Sequence, residues 1–595
     1  MKRPLTSLTA LLLGGVCFLS TGADAAELRF HTTQPGGVVA TGNTLGLATD
    51  PLANGPGTGD SIGTFTSLDL TNFDATPPNP LNPWGAGTTN NWQLNGSDAV
   101  LSLPQNAEIL YAELVWGGSY NYGGENVLAD IDTSVNLSFG GDALSIDPDP
   151  TTAVTLDTAG SFQIRYYMRS ADVTGFVDAH RGGTYAVEGV PGTQSITATG
   201  TNAAGWTLVV AYRSDGEPTR DLSVFVGGIF VDEDATVDYA IDGFCAPPAG
   251  NIEGTIAIST LEGDSNRVGD QIGIGQSAAG PFVLLSGPNN PVDNFFCSQI
   301  NGPDGQLDTS GTNGNANHTP GTNTKGARQG WDITHLALSS GQGHLVPDQT
   351  TAVLHTQTNS DSYMPTLAGL AIDVNAPKFT YDASTTEVDA STVTVGDTFN
   401  LTVKLVNEGS APANDVFFTL DLPPGVDLTG FTTNGQSGDF FQAPVTSTSI
   451  EQAVLMGDVA ENDTREVVAT LEVTAPQPTD IVLRPIWGYH YNMCVNNPPL
   501  NDQFKAAVVS VDFEGVGGAG GAGGGGVGGA GGDTSTGASG GDGGAGGALA
   551  NDSFPEGGGL VRCSASPSSA TKSAGSAFAA LAAVALARAA RRRRR

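Results

Sequence analysis

The sequence predicts an all-β protein built from successive β-sandwich units. Three observations carry that prediction. Short runs rich in β-branched and aromatic residues recur along most of the chain, closely bounded by Gly, Pro, Asn or Asp. No long segment of 3.6-residue apolar period interrupts them, and strands spaced this way with turns between them are the pattern of a sandwich or jelly roll. Residues 391–407 alternate apolar and polar side chains, the period of a half-buried strand.

At 595 residues the chain has room for several domains. Residues 1–25 read as a secretory signal. Lys2 and Arg3 form the charged start, Leu11–Leu19 the apolar centre, and Ala23-Asp24-Ala25 the small-x-small cleavage pattern. A lipoprotein cut at Cys17 is the rival, and Val16 stands where that reading wants a small residue. Ten of the 24 Lys and Arg lie in this leader or after Gly559, so the body between holds 14 against 60 acids, a formal −46. Such a body repels phosphate backbones, which excludes nucleic acid as an expected partner. An acidic, Lys-poor surface stays soluble and also suits calcium; a merely solvated surface is the plainer reading.

Residues 26–96 are turn-rich, with Pro35-Gly36-Gly37, Asn54-Gly55-Pro56-Gly57 and Pro77-Pro78-Asn79-Pro80. Short strands such as Ser67–Leu70 are expected between them. From 97 to 375 the pattern becomes regular and predicts a large β-sandwich or jelly-roll-like domain. Strands are expected at Val100–Leu103, Ile109–Trp116, Ser134–Phe139, Ala153–Leu156, Phe162–Met168 and Ser195–Thr199. Trp206–Tyr212 and Leu222–Val231 are the strongest, and the continuous apolar character of Trp206–Tyr212 suits a strand buried on both faces. Ser170–Phe176 fits a helical turn as well as a strand.

Residues 377–513 predict an immunoglobulin-like sandwich, on strand count and turn spacing. Gly396-Asp397 places a turn between two strands, and Asp415–Asp421 is stopped by Pro423-Pro424-Gly425. Thr464–Val473 repeats the two-residue period. Residues 515–559 are a Gly-rich flexible linker with a root-mean-square span of ~34–40 Å. The tail, 560–595, holds Cys563, the apolar run Ala574–Ala587 and the block Arg591, Arg592, Arg593, Arg594 and Arg595. As a helix that run spans only ~21 Å against a ~30 Å hydrocarbon core. It reads as a temporary address label, with the arginines as a positive-inside membrane stop and Cys563 as the place of processing or lipidation.

Cys245, Cys297, Cys494 and Cys563 remain after signal removal, too few for a disulfide scaffold. Export permits a bridge, and Cys245–Cys297 is the expected pair, both flanked by aromatic, strand-like residues. Two inert buried thiols are the alternative, and Cys494 has no obvious partner.

Catalytic motifs are scarce. His180, His318, His335, His344 and His355 match no zinc spacing, and there is no GxSxG elbow between a strand and a helix. Gly273-Ile274-Gly275 sits among turns with no helix to follow, so it is no dinucleotide fingerprint. The Asp/Asn-rich loop 301–317 is the best candidate for a metal. Asp304 and Asp308 are its nominated ligands, because calcium takes six to eight oxygens from such loops; ordinary turn chemistry explains the composition equally. Asp147-Pro148-Asp149 and Asp232-Glu233-Asp234 are further acidic loops. An internal Lys–Asn crosslink would draw on Lys404 or Lys505.

Three stretches resemble known families. Val395-Gly396-Asp397, Val406-Asn407-Glu408-Gly409-Ser410-Ala411-Pro412-Ala413 and Leu422-Pro423-Pro424-Gly425-Val426 resemble the immunoglobulin-like repeat of bacterial surface proteins, which implies a stalk without catalytic residues. Ala112–Gly118, Ala171–Thr174, Gly205–Tyr212, Ile241–Phe244, Glu262-Gly263-Asp264 and Asp361-Ser362-Tyr363 resemble a domain of exported bacterial adhesin-like proteins of undefined function. The tail from Cys563 is similar to the myxobacterial C-terminal sorting domain, which implies a sorting protease of the envelope and delivery to the outer surface. Some gliding-motility surface proteins share the layout.

The expectation is therefore a non-enzymatic surface protein, outer-membrane-associated or released. Its partners would be a glycan or protein of the cell surface or extracellular matrix, the sorting protease, and the membrane through its tail. A surface enzyme acting on polysaccharide and a purely structural envelope component are the alternatives, the former needing two carboxylates at a defined separation.

Overall fold

The computed structural model describes residues 26–50, 55–72, 84–158, 163–194, 202–228, 230–232, 235–433, 436–437, 454–494 and 498–514. The signal, the linker, Cys563 and Arg591–Arg595 lie outside the described residues, as do the expected strand Ser195–Thr199 and the Glu233-Asp234 pair. Among the described residues no helix is long and apolar enough to cross a membrane.

The expected all-β architecture is what forms. Its spine is one 18-residue strand, Glu27–Thr44. The first half, Glu27–Pro35, pairs antiparallel with Thr219–Val226, and the second half, Gly36–Thr44, with Ala204–Arg213. Continuity through the turn residues Pro35-Gly36-Gly37 depends on Gly36: a Cβ there would lie 2.0 Å from the Tyr212 carbonyl oxygen. Residues 26–96 are thus no separate region. Their first strand is central to the large domain, and Gly46–Ala48, Ile62–Thr66 and Thr88–Thr89 add a small sheet. The expected strand Ser67–Leu70 is instead the turn that follows Ile62–Thr66.

Around this spine the nine-stranded order is Val154–Thr155, Tyr166–Asp172, Glu108–Ser119, Ala204–Arg213, Glu27–Thr44, Thr219–Val226, Met364–Asp373, Glu253–Leu261 and Trp331–Ser339. Two four-stranded sheets pack against it. One holds Gly96–Leu101, Val135–Phe139, Asp142–Ile146 and Gly183–Glu188, and its core contains Leu137, Tyr185, Trp116, Trp206 and Leu208. The other holds Val237–Asp242, Asp270–Gly275, Val283–Leu284 and Thr351–Thr358, with Tyr239, Ile272, Leu354, Ile256 and Leu370. A third core, including Val38, Val115, Val209, Val224 and Trp331, belongs to the spine itself. Two sandwiches share one ribbon. The helical option at Ser170–Phe176 resolves as strand to Asp172, then a helix over Thr174–His180.

The second unit is a sandwich of a five-stranded and a six-stranded sheet. Buried Leu401, Val403, Phe418, Leu420, Ala469, Leu471, Leu483 and Trp487 alternate with less buried neighbours along its strands. Gly396 makes the expected turn at φ 96°. The flanking strands do not form a hairpin: Thr398–Val406 pairs with Thr464–Val473, whereas Thr392–Val393 runs parallel to Val509–Phe513 in the other sheet.

The disulfide is corrected by the fold. Cys245 bonds to Cys494, with Cα atoms 5.6 Å apart, and Cys297 is a buried free thiol. Cys245 lies in the loop after Val237–Asp242, beside the second unit, where the backbone N–H of Asn375 donates to its carbonyl at 2.7 Å. Cys297 is held elsewhere, its N–H donating to Asp332 at 2.9 Å and its Sγ to the Asn294 carbonyl at 3.1 Å. Phe244, Phe295 and Phe296 share one buried cluster, so the aromatic context does not tell the two pairings apart. The junction between the large domain and the second unit also carries Arg213–Asp502 at 3.0 Å and Lys505–Glu108 at 2.6 Å. Lys505, a crosslink candidate, is therefore engaged in an ion pair.

Candidate functional site

The densest chemistry lies at one end of the second sandwich. The strand Glu253–Leu261 ends at Glu262, which takes a left-handed φ of 65°, and a loop leads to Asp270 at the start of the next strand. Two glycines let other segments close on this loop. A Cβ on Gly263 would meet Asp332 Oδ2 at 2.5 Å, and one on Gly269 (φ 141°) would meet the Asp361 nitrogen at 2.6 Å. Glu262, Asp264, Asp270, Asp332 and Asp361 thereby gather in one small region.

Their oxygens are only partly satisfied. Asp332, fully buried, accepts the N–H groups of Cys297 and Gln299 at 2.9 and 2.8 Å through Oδ1. Asp270 Oδ2 accepts the Phe296 N–H. Asp264 Oδ2 pairs with Arg267 at 2.9 Å, and Arg267 also reaches Asp60 at 3.4 Å. Asp361 Oδ1 accepts the Ser362 N–H at 2.9 Å. The opposite oxygens, Asp264 Oδ1, Asp270 Oδ1, Asp332 Oδ2 and Asp361 Oδ2, have no hydrogen-bond partner.

Arg267 is the cation of this group, and its side chain is largely exposed. Burial and mutual repulsion therefore favour the neutral carboxyl. Burial first, and the charges of neighbouring carboxylates after it, hold Glu262, Asp264 and Asp270 well above the carboxylate range. Burial raises Asp332 to about 7 against the pull of its backbone donors, and Asp361 to about 6. The same surroundings push the Cys297 thiol far up, so it is inert rather than nucleophilic. Among the described residues, no three His, Cys, Asp or Glu side chains stand grouped tightly enough to hold a metal ion as they are.

The nominated loop uses its acids locally. Asp304 Oδ1 accepts the Gln306 N–H at 3.0 Å, and Asp308 Oδ1 accepts the N–H and hydroxyl of Ser310 at 2.8 and 2.6 Å, both turn-forming arrangements. Asp308 also lines a 260 Å³ pocket with Val39, Thr41, Val100 and Ile333. The histidines are dispersed. His335 accepts the Ala40 N–H at 3.0 Å through Nε2 and lies 3.0 Å from the Asn301 carbonyl through Nδ1. His318 accepts the Thr324 N–H at 2.9 Å and reaches Gln329 at 2.8 Å. Burial pushes both imidazoles below their ordinary range.

The carboxylate cluster was missed as a site from sequence. Its members are scattered from 262 to 361 and match no ligand spacing, although Glu262-Gly263-Asp264 and Asp361-Ser362-Tyr363 stood out as motifs. A larger cleft of 640 Å³ lies between the large domain and the second unit, lined in part by Pro247, Glu253, Lys378, Glu408 and Glu461.

No family model matches the chain, and no curated protein matches it. A solved structure of a protein described as membrane-anchored, from Corynebacterium diphtheriae, aligns with 81% of this chain and 97% of its own at 10% identity. The TM-score is 0.15, too low to carry an argument.

Proposed function

We propose that this chain is an exported, non-enzymatic surface protein whose double-sandwich head is a binding domain carried on an immunoglobulin-like stalk. Its role would lie in adhesion, matrix contact or gliding motility. The observation that carries this reading is the Cys245–Cys494 disulfide. It fastens head to stalk across a sequence separation of 249, and such bonds persist in oxidising compartments outside the cytosol. The acidic composition and the leader-like first 25 residues agree with it. Asp264 and Asp270 are 3% and 1% exposed, whereas glycoside hydrolysis needs two carboxyl groups that reach the sugar.

The test joins address to role. Surface labelling of intact producing cells, followed by disulfide mapping, should recover the labelled protein with Cys245 joined to Cys494. The recovered protein should bind glycan arrays or cell surfaces saturably. Recovery only from the cytosol with both cysteines reduced would sink the proposal.

A further inference from the structure

The segment from Asn301 to Gln329 contains no strand or helix, only isolated bridges, yet a buried histidine pins each of its ends. It lies against the half of the spine that has one strand partner. From Gly36 to Thr44 the spine pairs with Ala204–Arg213, and among the described residues no strand pairs with its other edge there. The polar groups of that half turn elsewhere. The Ala40 N–H donates to His335 Nε2 at 3.0 Å, the Asn43 amide to the Thr312 carbonyl at 2.9 Å, and the Thr44 hydroxyl to the Gln329 carbonyl at 2.6 Å. Arg328 gathers the segment onto itself by donating to the carbonyls of Asp308, Ser310 and Thr312.

The partners of the two histidines dictate their protonation. His335 Nε2 accepts a backbone N–H and so carries no proton, which leaves Nδ1 to donate to the Asn301 carbonyl at 3.0 Å. His318 Nδ1 accepts the Thr324 N–H at 2.9 Å, so Nε2 donates to Gln329 Oε1 at 2.8 Å. Both rings are buried, and both are held neutral by these bonds. A second proton on either ring would set N–H against N–H in a dry site, which is unfavourable.

We propose that residues 301–329 form a strap that acid releases from the spine, with His335 and His318 as its two latches. Each imidazole takes up one solvent proton as its backbone donor departs, and the Asn43 amide and Thr44 hydroxyl pass to water. The charges acting on His335 are Asp304 and Asp308 of the strap, and the one acting on His318 is Asp60. All three favour the cation, but burial outweighs them and holds both rings below the ordinary histidine range. The held strap therefore binds fewer protons than the released one, so closure is strongest above about pH 6.5 and weakens below it. The carboxyls of Glu262, Asp264, Asp270, Asp332 and Asp361 are shifted up and act with the opposite sign, strengthening the fold as pH falls. Global melting sums the two effects, so only a local measurement reads the strap.

The experiment is hydrogen exchange read by mass spectrometry on the full-length, disulfide-bonded protein, from about pH 8 to about pH 4, with labelling times scaled for the intrinsic exchange rate. Each imidazole can shift the opening equilibrium by up to about tenfold per pH unit below 6.5. Peptides from 301–329 and around Ala40 should therefore lose protection about tenfold or more by pH 5, while Ile481–Tyr491 of the second unit keeps its own. His335→Gln and His318→Gln, which offer an acceptor oxygen that takes no proton, should each diminish the loss. The onset gives a reading that needs no variant: it should fall near pH 6.5, not near pH 4 where exposed carboxylates titrate. Wild-type protection of the strap that stays constant down to pH 5, or falls only near pH 4, would overturn the proposal. So would a loss kept in full in a folded His318→Gln/His335→Gln double variant.

Discussion

Cys494 of the second unit is bonded to Cys245 of the large domain, and the two Cα atoms are 5.6 Å apart. In the full-length chain, Cys297 should resist a maleimide reagent until the protein is unfolded. Peptide mapping should return Cys245–Cys494 and no Cys245–Cys297 peptide. Replacing both bridged cysteines by Ser should cost about 2–5 kcal/mol in a denaturant titration, since the bond closes a long loop in the unfolded chain.

Arg29 should be far less dispensable than its place near the start of the spine strand suggests. Its guanidinium lies 3.2 Å from Glu113 and 2.9 Å from Asp149, and Glu113 is wholly buried on the strand Glu108–Ser119. Arg29→Ala leaves a buried carboxylate with only Ser170 and Tyr111 as donors, a loss of about 3–5 kcal/mol. Glu113→Gln in the Arg29→Ala background should recover part of it, which a urea-melt double-mutant cycle would measure.

His31 should make part of the stability pH-dependent. Its Nε2 lies 2.7 Å from Asp221, and that hydrogen bond, opposed by partial burial, raises its pKa above 6.5. A raised histidine pKa stabilises the folded state fully below the unfolded value and ceases to do so as pH rises through the folded value. The stability difference between wild type and His31→Gln should therefore be full below about pH 6.5 and shrink as pH rises above it through the folded-state midpoint. NMR titration of the imidazole provides the direct check, and an unshifted midpoint would refute it.

Gly205 should tolerate no side chain. A Cβ there would stand 2.4 Å from Cγ of Trp331, whose indole N–H donates to Thr207 at 2.9 Å. Gly205→Ala should lower stability by about 1–3 kcal/mol through overpacking, measurable by denaturant melts with Trp fluorescence.

Much of this architecture was legible because local pattern and burial agree. Trp206–Tyr212 reads as a strand buried on both faces and is one, inside Ala204–Arg213. Thr464–Val473 appears with the bounds its alternation implies. What escaped was long-range. Pro35-Gly36-Gly37 looks like a loop, yet the backbone passes through it extended because Tyr212 approaches where a side chain would be. The hairpin expected at Gly396-Asp397 divides between two sheets, since turn chemistry sets the reversal but not the partner. The cysteine pairing failed for the same reason, and the carboxylate cluster assembles residues about a hundred positions apart, beyond any spacing rule.

The spine strand has a consequence for how the protein is made. Glu27–Thr44 is synthesised before its partners, residues 205–226, which follow about 160–200 positions later. Until they arrive, an 18-residue strand with both edges unsatisfied must wait. Vectorial, start-to-end folding is closed to this head. It must be held open by a chaperone or emerge fast enough to outrun self-association, and expression yield should depend on that interval more than on the final stability of the fold.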